Sequence, residues 1–114
     1  MRDDRERLLD ILEAVGRIEK YAARGREGFV HDELVQTWVV YHLQVIGEAC
    51  RALSADLRER YPEGPWAGIV GMRNILVHHY FGIDVQVVWS VVEKELPELR
   101  HKIEVILQEM ASAS

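Results

Sequence analysis

At 114 residues, with 48% hydrophobic and 29% charged side chains and only three prolines, the chain has the composition of one globular domain and not of a disordered segment. Its formal net charge of −5 excludes the broad cationic footprint of a general nucleic-acid binder, so any contact with RNA has to be local. The single cysteine, Cys50, can form no internal disulfide and has no zinc-like spacing around it, which fits a reducing cytoplasm and a small core residue better than a reactive thiol. Residues 2–7 are all charged and precede no apolar h-region, so no signal peptide is expected. No apolar run reaches the length of a membrane span, and no membrane association is expected either.

From Asp3 to Arg24, Leu8, Ile11, Leu12, Val15, Ile18 and Ala22 recur at steps of three and four, which predicts an amphipathic first helix with Asp3 and Asp4 at its positive end and Gly25 at its stop. Gly25 to Val30 reads as a turn. His31, Asp32 and Glu33 then open a second helix running to about Leu53. Its stripe of Leu34, Val35, Trp38, Val39, Leu43, Ile46, Ala49, Cys50 and Leu53 is broad enough for more than one neighbour. Gly47 inside this helix costs about 1 kcal/mol relative to alanine, a cost usually offset by close approach of another helix. Beside it, Glu48 reads either as a solvated carboxylate or as a supporting group behind a basic site.

Arg58 to Pro65 contains Tyr-Pro-Glu-Gly-Pro, a helix-breaking loop, and Pro65 suits the first position of a third helix carrying Trp66, Ile69, Val70 and Met72 to Val77. Asp84 is a good N-cap for a fourth helix with Val85, Val88, Trp89, Val92 and Leu96. Pro97 restarts or kinks that helix into a last segment of Leu99, Ile103, Ile106, Leu107 and Met110. No sustained alternation and no hairpin signal appears, so the expected fold is all-α, a single domain over residues 1–114 with four or five antiparallel helices in a bundle.

The chemistry is concentrated in Arg73 to Tyr80, where a guanidinium, a carboxamide, two imidazoles and a phenol fall in eight consecutive positions. On a continuous helix Arg73 and Tyr80 lie within roughly 20° of each other, about 10 Å apart along the axis, while His78 is about 140° from Arg73. Arg73 and His78 therefore converge on one small group only if the helix ends near Val77 or if a second subunit completes the site. Arginine offers a planar fork of donors to a phosphate, and histidine exchanges protons near neutrality. The pair suits attack of an RNA 2′-hydroxyl on its own phosphate without a metal. On spacing alone, a capping and packing role for His78, His79 and Tyr80 is the commoner arrangement. His31, His42 and His101 have no comparable neighbourhood and read as structural or surface residues.

Arg73-Asn74-Ile75-Leu76-Val77-His78-His79-Tyr80 resembles the R-x4-H-x-Y motif of the HepT-like ribonuclease toxins, within the HEPN superfamily of helical domains. Ile46 to Ala49, Pro65-Trp66, Ile83-Asp84, Val88-Trp89 and Leu96-Pro97 are similar to the family pattern in the same order. The resemblance implies a homodimeric, metal-independent endoribonuclease with no cofactor, acting on RNA in a type VII-like toxin–antitoxin pair. It implies Arg73 and His78 as the catalytic pair and Asn74 as an orienting residue; His79 fills the variable position of the motif and reads as a supporting or solvent-facing residue, with direct catalysis the lesser alternative. It also implies an MntA-like nucleotidyltransferase antitoxin as partner, which transfers AMP to Tyr80 and so places bulk and negative charge beside Arg73 and His78. Two other readings compete: a non-catalytic HEPN module that binds or regulates a nucleotidyltransferase, and a helical oligomer whose histidines and tyrosine only pack.

Overall fold

The computed structural model describes residues 3–62, 66, 68–69 and 84–113, and among them the chain is helical with no strand. Helix α1 spans Asp4–Ala22, with the Asp3 carboxylate accepting from the Glu6 backbone N–H at 2.8 Å. Leu8, Ile11, Ala14, Val15 and Ile18 form its buried stripe, as the spacing predicts. The expected turn at residues 25–30 is instead a short helix, α2 (Gly25–Val30). Gly25 adopts φ +84°, a left-handed conformation that costs glycine little, and the chain reverses there and coils again at once. Gln36 closes α2 by donating its amide N–H groups to the last carbonyls of the helix, those of Phe29 and Val30, at 3.0 and 2.9 Å, and the Phe29 carbonyl also accepts from the Asp32 N–H at 3.4 Å.

Helix α3 covers Glu33–Ala52 and is capped by Asp32, whose carboxylate accepts from Leu34 and Val35 N–H at 3.0 and 3.2 Å. Leu34 departs from the predicted stripe: it is 82% exposed, while Val35, Val39, Leu43, Ile46 and Cys50 are buried. Gly47 is buried as well. Another helix precedes the predicted loop: α4 (Ala55–Arg60), capped by Ser54 Oγ, so Arg58 to Arg60 are helical and the loop begins at Tyr61. The Arg58 guanidinium turns back and donates to the carbonyls of Cys50, at 2.9 Å, and Arg51, placing a cation on the negative end of α3. Trp66, Gly68 and Ile69 are helical, and Trp66 and Ile69 are buried. The rest of the predicted third helix, from Val70 to Val77, lies outside the described residues.

Helix α5 (Val85–Ser90) starts at Asp84, which accepts from Gln86 N–H at 2.9 Å, and continues through a π-helical turn at Val91–Glu95 into α6 (Leu96–Ala113). Leu96 N–H reaches back to the Val91 carbonyl, one residue beyond the α-helical partner. Proline at 97 has no N–H and its ring crowds the carbonyl four residues earlier. The last α-helical segment therefore starts at Leu96, directly after this wider turn and one residue before the proline at which the sequence predicts a restart or kink.

Side-chain links set the directions. Asp4, at the start of α1, accepts from the Ser54 N–H at 2.9 Å and the Ser54 hydroxyl at 2.5 Å at the end of α3. The Trp38 indole, near the start of α3, donates to the Arg17 carbonyl near the end of α1 at 3.0 Å. The two helices are therefore antiparallel. Arg100 pairs with Glu19 and Tyr61 with Glu109, so α6 descends from the late end of α1 to the α3–α4 corner, antiparallel to α1 and parallel to α3. This is the expected helical bundle. No helix among the described residues is long and apolar enough to cross a membrane.

Cys50 behaves as the sequence predicts. It is fully buried, and burial pushes its thiol from 9.0 up to about 12, against the opposing pull of the Arg58 guanidinium. The native protein should therefore resist a thiol-specific disulfide reagent at pH 8 and react promptly once unfolded in denaturant. Since the folded pKa is raised, the unfolded chain sheds this proton first as pH climbs. Stability should then fall by up to about 1.4 kcal/mol per pH unit between roughly pH 9 and 12, and Cys50→Ala should flatten that part of the alkaline denaturation profile. Rapid labelling of the folded protein at pH 8 would contradict the buried thiol.

Candidate functional site

Arg73, Asn74, His78, His79 and Tyr80 lie outside the described residues, as do the two alternatives for bringing Arg73 and His78 together. What the structure does supply is the frame around them. On the N-terminal side, Trp66 is 5% exposed and donates its indole N–H to the Tyr61 carbonyl at 2.9 Å, and Ile69 is 2% exposed in the core. On the C-terminal side, Asp84 caps α5, Gln86 accepts a hydrogen bond from Arg26 of α2, and Trp89 packs on Phe29 with ring centroids 5.4 Å apart. Tyr61 and Trp66 sit by the lower end of α6 with Glu109, whereas Gln86 and Trp89 sit by α2 at the other end. The described flanks, Trp66 before this stretch and Asp84 after it, thus sit by opposite ends of the bundle, the first fixed by core packing and the second by its capping role. The two tryptophans in the quoted family string, Trp66 and Trp89, are the buried anchors on either side.

Glu48 is exposed and rims an open groove of about 480 Å³ between α1 and α3, shared with Arg7, Asp10, Arg17, Tyr41 and His42. With Glu13 also on its wall, the groove carries two arginines and three carboxylates, so it offers no basic surface for a phosphate. Arg17 is further engaged by Glu13 at 2.9 Å. His42 is buried, its Nδ1 lies 2.8 Å from the Trp38 carbonyl, and its ring packs between Trp38 and Tyr41 at centroid distances of 4.4 and 5.0 Å. A carbonyl only accepts, so Nδ1 carries a proton. That arrangement gives His42 the structural role expected of it. His31 pairs with Glu27 at 3.2 Å on the surface, also as expected.

Sequence reading passed over a second cluster. His101 and Lys102 on α6 line a pocket with Tyr61, Trp66 and Glu109. Their sequence separation, about forty residues, left no local pattern to notice; only the regular recurrence of 102, 105 and 109 on one helical face hinted at it.

The chain belongs to the HepT-like ribonuclease family: the family described as Ribonuclease HepT-like matches residues 11–106, which include the whole Arg73 to Tyr80 string. Among its relatives is the "Probable ribonuclease HepT" of Thermococcus cleftensis, 38% identical over 90% of this chain and 94% of that protein. A Methanocaldococcus jannaschii protein named "Putative RNase MJ1380" is 35% identical over 92% of this chain and 97% of its own length. A longer protein of the same organism, named "Gamma-glutamylcyclotransferase and putative RNase MJ0434", is 36% identical over 88% of this chain and 46% of that protein. No solved structure matches the chain.

Proposed function

We propose that the chain is a metal-independent endoribonuclease toxin, acting as a homodimer and held inactive by a nucleotidyltransferase antitoxin. The observation that carries this reading is the intact Arg73, His78 and Tyr80 string inside the matched family region. In the reaction, a base removes the proton from a ribose 2′-hydroxyl and the 2′-oxygen bonds to the adjacent phosphorus. The bond from phosphorus to the 5′-oxygen then breaks and that oxygen takes a proton. His78 is the residue for proton transfer, Arg73 neutralises the charge gathering on the phosphoryl oxygens, and Asn74 and His79 support them. Inactivation is attack of the Tyr80 phenol oxygen on the α-phosphorus of ATP, with loss of the phenolic proton and release of pyrophosphate.

The test is incubation of purified dimer with RNA in EDTA, together with intact-mass measurement of protein made with and without the nucleotidyltransferase encoded beside it. Cleavage by the unmodified protein, and added mass in AMP units at Tyr80 that silences it, are expected. Tight partner binding with no cleavage by AMP-free protein would instead favour the non-catalytic binding module, which the net charge of −5 also suits.

A further inference from the structure

The pocket between α6 and the Tyr61 corner has a volume of about 210 Å³. A shallower depression lined by Val105, Gln108, Glu109 and Ser112 extends it along the same helix. Val105 and Glu109 belong to both, so the two form one trough, roughly 16 Å long from His101 to Ser112 at 1.5 Å per residue.

Its lining changes character along its length. At the upper end, Lys102 is half-buried and His101 exposed, and neither has an ion pair or hydrogen bond with a described residue. The wall is carbon surface from Val105, Tyr61 and Trp66, whose indole N–H is already given to the Tyr61 carbonyl. Beyond it stands Glu109, with Oε2 accepting the Tyr61 hydroxyl. That bond orients the carboxylate and leaves Oε1 to accept from something else.

An ammonium beside an imidazole, both unengaged among the described residues, then an aromatic wall and an oriented acceptor, are the three kinds of contact an unpaired nucleotide needs. We propose that this trough seats one unpaired nucleotide of an RNA strand, taking its phosphate at Lys102 and His101 and reading an exocyclic amino group with Glu109. The volume is below that of pockets for drug-sized ligands, which suits one base. Cytosine, adenine and guanine each present an amino group to the carboxylate. Uracil presents one ring N–H between two carbonyl oxygens that the carboxylate repels. Trp66 lies seven residues before Arg73 in the sequence. One ammonium, one imidazole and a carboxylate on an acidic protein give little affinity, so the trough sorts bases more than it retains RNA.

The substrate class rests on the ribonuclease reading, but the test does not involve cleavage. Isotope-labelled full-length protein is titrated with AMP, CMP, GMP and UMP, following the Trp66 indole and the Tyr61, Lys102, Val105 and Glu109 amides by NMR. The amino-bearing nucleotides should move these signals with about tenfold higher affinity than UMP. Glu109→Gln should erase the CMP over UMP preference, and Lys102→Ala should weaken all four alike. Silence of these signals, or equal binding of UMP and CMP that Glu109→Gln leaves unchanged, overturns the assignment. So does movement of the same signals on raising protein concentration alone, which would give the trough to a second copy of the chain. A protein that sorts nucleotides but cuts no RNA would keep this site and remove the nuclease, and an active nuclease with a silent trough would do the reverse.

Discussion

Arg73→Ala is expected to slow RNA cleavage by about 10² to 10³-fold, and His78→Ala by about 10² to 10⁴-fold, with folding unchanged in both. The first figure is what loss of one donor aimed at a charged phosphoryl transition state costs, and the second is the usual worth of a positioned proton carrier. Because both act on one transition state, the double variant should be scarcely slower than the worse single one. The neighbours separate the proposed roles. His79→Ala should stay within a few-fold of wild type, and Tyr80→Phe should keep cutting RNA while accepting no AMP. Cleavage should also vary across the neutral pH range where an imidazole titrates, and His78→Ala should remove that variation. A quantitative assay on a single-site RNA in EDTA checks all of this, and undiminished rates for Arg73→Ala and His78→Ala would exclude the pair as catalytic.

Much of the frame was legible because it rests on local rules. The periodicity of Leu8, Ile11, Val15 and Ile18 predicts α1, and Asp32 and Asp84 mark helix starts through side-chain capping of exposed N–H groups, which the structure shows at 2.9 to 3.2 Å. What escaped was decided by residues distant in sequence. Gly25 to Val30 has the composition of a turn, and its helix persists because Gln36 satisfies its last carbonyls and Phe29 finds a place against Trp89. Leu34 fits the apolar stripe of α3 by spacing, yet in the first turn it is Val35, about 100° further round the helix, that meets the core, and Leu34 stays in solvent. Proline chemistry marks a change of segment at Pro97, and the π-helical turn that accompanies it, at Val91–Glu95, has no local signature in the sequence. The candidate site divides in the same way. The string from Arg73 to Tyr80 is contiguous and so visible by eye, while the trough assembles Tyr61 and Trp66 with Lys102 and Glu109 across the bundle.

The second large effect follows from those two misplaced residues. Phe29→Ala should destabilise the fold by about 3 to 5 kcal/mol, although its segment reads as a surface turn. Phe29 is 1% exposed, and its ring meets Trp89 at 5.4 Å with a 32° tilt, so truncation removes both apolar burial and an aromatic pair on which α2 and α5 lean. A domain of this size has about 5 to 15 kcal/mol in all, so the loss takes a large share. At about 4 °C per kcal/mol, the midpoint should drop by roughly 12 to 20 °C. Leu34→Ala is the matched control: at 82% exposure it should change stability by no more than about 0.5 kcal/mol. Thermal and urea unfolding followed by circular dichroism measure both. Since α2 holds the end of the bundle where residues 70–83 rejoin the frame at Asp84, Phe29→Ala should lower cleavage even below its midpoint, and Leu34→Ala should not. The reverse ranking in stability would mean that the core is closed by some contact other than the one between Phe29 and Trp89.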